Sequence, residues 1–163
     1  MPLLARRIAP LLLLFASACA IHVQTPRTER AANDALVSQA EAFMASYATD
    51  LLQGRRDAIV ARYDPRGATM MGMGQKEVMT RDQIHQRYHG PRWNPPVSFA
   101  WRDLSYEVVG PDAVVVTGLF DWGISAERKE QLSYTGLLLR RDGRLMIRLE
   151  DESFAPRRPA ATP

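Results

Sequence analysis

From Val97 to the end of the domain the chain alternates apolar and polar residues with a period of two, the mark of strands with one covered face. Val97, Phe99 and Trp101 share one phase, and Leu104, Tyr106 and Val108 share the opposite one. The pattern therefore slips by one residue at Arg102-Asp103, which predicts a bulge that bends the strand. Gly110-Pro111-Asp112 is a turn into residues 113–122, which are too apolar on both faces to form a sheet edge. A polar loop over 123–130 leads to a strand over 131–140. Arg141-Asp142-Gly143-Arg144 then makes a tight hairpin, because Asp-Gly accepts the positive φ that such turns need. In the last strand, 145–154, Leu145, Ile147 and Leu149 share a face, while Met146, Arg148 and Glu150 share the other. The apolar phase, continued, reaches Asp151 and Ser153, so a carboxylate is predicted where a buried side chain belongs.

Before Val97 the period changes. Leu36, Ala40, Phe43, Met44, Tyr47 and Leu51 recur at three- and four-residue steps, one apolar stripe on a helix over 34–53. Asn33 or Asp34 is expected to cap its start and Gly54 its end. A short helix over 57–63, with Asp57 as N-cap, turns Ile59, Val60 and Tyr63 inward and stops at Asp64-Pro65. A strand over 68–73 carries Met70, Met71 and Met73, read as core filling in preference to pocket lining. Thr80-Arg81-Asp82-Gln83 is a capping box that opens a third helix, and Gly90-Pro91 ends it. Helices gathered ahead of a run of strands predict an α+β domain. A bent antiparallel sheet wrapped around the long helix makes a cone with a cavity at its open end.

Composition, 46% hydrophobic and 24% charged, fits one soluble globular domain in a chain of 163 residues. The formal net charge of +3 comes from the ends, where Arg6, Arg7, Arg157 and Arg158 lie. Between Asp34 and Ala155 there are 15 basic and 17 acidic residues, which leaves no nucleic-acid footprint. Arg6-Arg7, a short apolar run over 8–15 and Ala16-Ser17-Ala18 predict a signal peptide over 1–18. Cys19, the single cysteine, follows directly and has no partner for an internal disulfide. Residues 19–33 are read as a tether that turns helical towards its end, 34–155 as the domain, and 156–163 as a tail too poor in apolar residues to order itself.

Two resemblances follow from these residues. Ala16-Ser17-Ala18-Cys19 resembles the bacterial lipobox, with Ala16 where leucine is commonest; this implies lipidation of Cys19, and Ala20 after it implies an outer-membrane lipoprotein facing the periplasm. The order of elements from Asp34 to Phe154 resembles the nuclear transport factor 2-like superfamily, in its SnoaL-like or polyketide-cyclase-like branch. The likeness is carried by Leu51-Leu52-Gln53-Gly54-Arg55-Arg56-Asp57-Ala58-Ile59, by Arg81-Asp82-Gln83-Ile84, and by the segment from Asp142-Gly143 to Ser153. Members close that last strand on His-acid-His and a serine. Here Leu149 and Asp151 replace the histidines, while Glu150 and Ser153 match. The resemblance implies a cone-shaped roll and either a binding domain or a cofactor-free isomerase, dehydratase or cyclase.

Candidate chemistry centres on Asp151, whose pKa desolvation at a cone mouth would raise to that of a usable acid or base. Asp103 is a second candidate base, and Tyr134 a candidate oxyanion donor. The expected pocket is lined by Phe43, Met44, Tyr47, Trp101, Phe120, Trp122, Tyr134, Leu149 and Asp151. Glu150, Asp151 and Glu152 alternate faces on a strand, so they do not converge on a metal. His85 and His89 share a helix face, but no zinc motif surrounds them, and they are read as solvated histidines. His22 has no partner in sequence, and Pro91-Arg92-Trp93-Asn94-Pro95-Pro96 is read as a connection in preference to a lip over the cavity or a partner-docking site. No metal or other cofactor is expected. Three functions remain open: a non-catalytic domain binding a small apolar or amphipathic molecule, an enzyme using a pocket Asp as base, and a module that dimerises through the sheet face carrying Gln131, Ser133 and Thr135.

Overall fold

The computed structural model describes residues 26–154 except Met73. The expected signal peptide, Cys19 and residues 20–25 of the expected tether lie outside the described residues, as does the expected tail. The elements run α1 (Pro26–Leu52), α2 (Arg56–Ala61), β1 (Ala68–Gly72), β2 (Gln75–Met79), α3 (Arg81–His89), β3 (Ser98–Gly110), β4 (Ala113–Gly123), β5 (Lys129–Arg141) and β6 (Arg144–Phe154). The strands form one sheet in the order β2-β1-β6-β5-β4-β3, antiparallel except for β1 against β6. The α+β fold, the curved sheet and the helices that precede it agree with the sequence reading, as does the interior place of β4.

α1 starts eight residues before the expected Asp34. Pro26 suits a first helical position, and Glu29 complements the positive helix start, so neither Asn33 nor Asp34 acts as cap. Its stripe is the predicted one: Leu36, Ala40, Met44, Tyr47 and Leu51 are all buried against the sheet. Burial of such side chains contributes roughly 1.5–3 kcal/mol each. Gly54 ends the helix at φ 60°. α2 is shorter than expected, and Asp57 lies in its first turn and not at its N-cap. α3 has the predicted capping box, with Thr80 and Gln83 bonding each other's backbone.

β2 has no counterpart in the sequence reading. Gln75, Lys76 and Glu77 are exposed, because this is the sheet's edge and polar residues blunt it. The predicted bulge in β3 is present: register shifts between Arg102 and Ser105, and Asp103 takes φ 51°. The hairpin turn uses Asp142 at φ 48° and Gly143 at φ 77°.

A second bulge lies in β6, and it decides the site. Leu138 pairs with Ile147, but Leu137 pairs with Leu149, so Arg148 is the extra residue. The cause is visible on the other side of β6. The chain between α2 and β1 bonds Ile147 through the Arg62 carbonyl and the Asp64 amide, and Arg148 donates to the Gly67 carbonyl. Every side chain beyond the bulge changes face.

Candidate active site at the mouth of the cone

The bulge corrects the central expectation. Leu149 and Asp151 pair with Leu137 and Thr135 on the outer face, and the Asp151 carboxylate accepts from Ser153 Oγ at 2.9 Å. Glu150 and Glu152, opposite Gly136 and Tyr134, take the inner face. Asp103 does not reach the interior either, since the β3 bulge leaves it exposed. Asp121 is held by Arg102 at 2.9 Å and by Gln131 at 3.3 Å.

Glu150 is 1% exposed. Its Oε1 accepts from Tyr63 Oη at 2.5 Å, and Tyr63 Oη lies 2.6 Å from Tyr88 Oη. Tyr47 Oη approaches both phenols, at 3.3 and 3.5 Å. Each phenol has one proton. Tyr63 spends its proton on Glu150, so Tyr88 must donate to Tyr63, and the chain of donors runs toward the carboxyl. Glu150 Oε2 and Tyr134 Oη, both buried, have no partner among the described residues. Tyr134 folds over Gly136, where a Cβ would stand 2.5 Å from the phenol oxygen; only glycine leaves that space.

Desolvation pushes the Glu150 carboxyl up to about 8, helped by the neighbouring charge of Glu152. Glu152 sits at the rim of the same face, and burial lifts it to about 7 despite the Arg87 guanidinium. The two carboxyls titrate as a pair. Burial, with Glu150 beside them, also holds the Tyr47, Tyr63 and Tyr134 phenols above their ordinary value, so these act as donors and not as phenolates.

Leu132, Arg87 and Glu152 border two cavities. One, of about 280 Å³, has aromatic walls: Tyr47, Tyr88, Trp93, Phe120 and Trp122. The other, of about 370 Å³, reaches Glu150 and extends toward Gln75 and Glu77. A larger open groove of about 560 Å³ lies between α1, α2 and the β5–β6 turn. Its one acid, Asp50, is already bound by Arg55 and Arg62.

Of the expected pocket residues, Tyr47, Phe120 and Trp122 line the aromatic cavity. Tyr134 faces the same interior. Met44 is core, and its carbonyl accepts from Trp101 Nε1 at 2.9 Å. Trp101 packs on Tyr134 and Phe120 behind the cavity wall. Phe43 belongs to the open groove, under the Arg62 guanidinium. The sequence reading missed Tyr63, Tyr88, Arg87 and Glu152 as site residues, and Trp93, in the loop it preferred as a connection over a lip, lines the aromatic cavity. Glu150 was legible only as the acid that matched the resembled motif.

No family model matches the chain, and no curated protein matches it. Solved structures do. A candidate scytalone dehydratase from Novosphingobium aromaticivorans superposes with a TM-score of 0.64 at 13% identity, over 77% of this chain and 88% of that one. An NTF-2-like protein of unknown function from Shewanella oneidensis gives 0.58 at 14%, over 77% and 98%. The fold is nuclear transport factor 2-like. A candidate ketosteroid isomerase from Parabacteroides distasonis, at a TM-score of 0.57, 15% identity and coverage of 85% and 94%, shares it. At these identities the nuclear transport factor 2-like likeness fixes architecture, and chemistry has to be argued from the residues.

Proposed function

We propose that this domain binds a small, largely apolar molecule bearing one oxygen-containing end in the mouth of its cone. One observation carries the reading: a buried carboxyl, Glu150, has a second oxygen without a partner among the described residues and lines a cavity that shares Arg87, Leu132 and Glu152 with the aromatic-walled one. With its pKa near 8, Glu150 is largely protonated at neutral pH and donates to a ligand carbonyl or hydroxyl. Trp93 and Trp122 make contact visible as a change in fluorescence. Titration with cyclic ketones and phenols should show saturable quenching that Glu150→Gln weakens; a panel with no response in the wild type would refute binding of this class.

Glu152 supports a second reading. A rim carboxyl with a pKa near 7 is matched to proton transfer at neutral pH, as an isomerase, dehydratase or cyclase requires. The test is deuterium uptake at the carbon next to a bound ketone, followed by NMR. Uptake abolished by Glu152→Gln establishes the enzyme, and binding without uptake leaves a carrier or sensor.

The N-terminal sequence supports export and lipidation at Cys19, which would hold the domain at the outer membrane. The mass of the mature N-terminus, with and without Cys19→Ser, tests this. The outer sheet face, with Gln131, Ser133 and Thr135 beside half-buried Val115 and Leu137, suits a homodimer. Light scattering of a Thr135→Lys variant tests that.

A further inference from the structure

Away from the cone, α2 and α3 pack side by side and bring together three groups that sequence spacing leaves apart. His85 and His89 stand one turn apart on α3, with rings stacked at 4.0 Å and 10°. Asp57 reaches them from the first turn of α2. Its Oδ1 lies 3.0 Å from His89 Nε2 and 4.0 Å from His85 Nε2. One ligand atom from each residue falls within 4.8 Å of the others.

We propose that Asp57, His85 and His89 form a binding site for a divalent transition-metal ion. Metal–nitrogen and metal–carboxylate bonds of about 2.0–2.2 Å place tetrahedral ligand atoms about 3.3 Å apart. The distances of 3.0 and 4.0 Å lie on either side of that value, so small side-chain rotations, with the stacked rings opening, close the site. A hydrogen bond explains the approach of His89 to Asp57. It does not explain His85, which sits beyond bonding reach of the same oxygen and makes no hydrogen bond among the described residues. Two imidazoles and one carboxylate suit zinc, copper or nickel; calcium and magnesium demand more oxygens. The Asp57 side chain is 88% exposed and that of His85 52%, so water completes the shell and the ion enters directly. None of the three lines either cavity of the cone. The ion would therefore clamp α2 to α3, on a helix face about 100° round from Ile84 and Tyr88, without touching the candidate active site.

The test is calorimetric titration of the untagged chain with zinc chloride. One equivalent should bind, with affinity falling about tenfold or more in each of His85→Ala, His89→Ala and Asp57→Asn. His22→Ala, Cys19→Ser and Glu150→Gln should leave it unchanged. Zinc should also shift the imidazole nitrogen resonances of His85 and His89 together in NMR spectra. This reports ligation directly, and His85→Gln repeats the loss with a side chain of similar size. The proposal is overturned by an absence of binding at millimolar zinc, by affinity that survives His85→Ala or Asp57→Asn, or by affinity that disappears with His22→Ala.

Discussion

Asp64 and Glu150 are equally closed to solvent, each 1% exposed, and their protons behave in opposite ways. Burial alone would raise both. At Asp64 it is outweighed by hydrogen bonds from Arg66, through both guanidinium and backbone amide, and from Arg141, and the carboxyl falls to about 2. Glu150 meets a phenol and a neighbouring acid instead, and rises to about 8. Glu150 lies deeper in the fold, so desolvation weighs more there, but it is the partners that bring Asp64 below its ordinary value. Asp64 is a closed structural joint between the β5–β6 turn and the chain leading into β1. Glu150 is a carboxyl with capacity left over.

The largest effect expected is at the joint. Asp64→Ala removes the acceptor for four N–H donors, three of Arg66 and one of Arg141, and should cost about 2–3 kcal/mol in chemical denaturation. The pH dependence has a defined sign. A carboxyl depressed from 3.8 to about 2 stabilises the fold fully above pH 4, and that contribution, on the order of 2 kcal/mol, is lost as pH falls toward 2. Wild type and Asp64→Ala should therefore converge in stability in strong acid. A constant gap would show that packing, not charge, makes the joint.

Gly136→Ala comes next. The new methyl meets the Tyr134 ring within 2.5–2.9 Å, so the ring must leave its place over β5. Overpacking of this kind costs about 1–3 kcal/mol. Ligand response should weaken with it, since Tyr134 shares the inner face with Glu152. A stability loss without any change in ligand response would separate Tyr134 from the site.

Glu150→Gln should act in the other direction. A carboxyl raised from 4.5 to about 8 makes the wild type less stable as pH climbs through that interval, because the unfolded chain ionises freely and the folded one resists. Glutamine removes the penalty. The variant should melt higher than wild type at pH 8.5, by on the order of 1–2 kcal/mol or roughly 5 °C, and show no gain at pH 5. A lower melting point at both pH values would mean that Glu150 has a charged partner and resembles Asp64 after all.

The contrast was only half legible in the sequence. The elements could be read because period, caps and Asp-Gly turns are local signals, and the β3 bulge because it shifts apolar residues on its own strand. The β6 bulge could not be read. Arg148 is extra only with respect to β5, and what holds it out is the chain between α2 and β1, far away in sequence. From Leu149 onward the face assignment was therefore inverted, and the acid taken for the reactive one lay on the wrong side. Tyr63 reads only as an inward-facing ring and Tyr88 carries no signal of its own, because a periodicity of ring positions does not reveal where hydroxyls converge. β2 escaped because an edge strand built of polar residues has no buried face to announce it.

The smallest effect is the most direct check on that inversion. Asp151→Asn removes a carboxylate that faces outward and bonds only Ser153 among the described residues. Stability should move by less than about 0.5 kcal/mol, as for a surface substitution. Ligand response and deuterium uptake should stay at wild-type levels, where Glu150→Gln and Glu152→Gln reduce them. If instead Asp151→Asn abolished binding while Glu150→Gln did not, β6 in solution would have to run without its bulge. Leu149 and Asp151 would then face inward, the Tyr63–Glu150 bond would be lost, and the reading of the cone mouth would go with it. The register of a single strand thus decides which acid the protein can use.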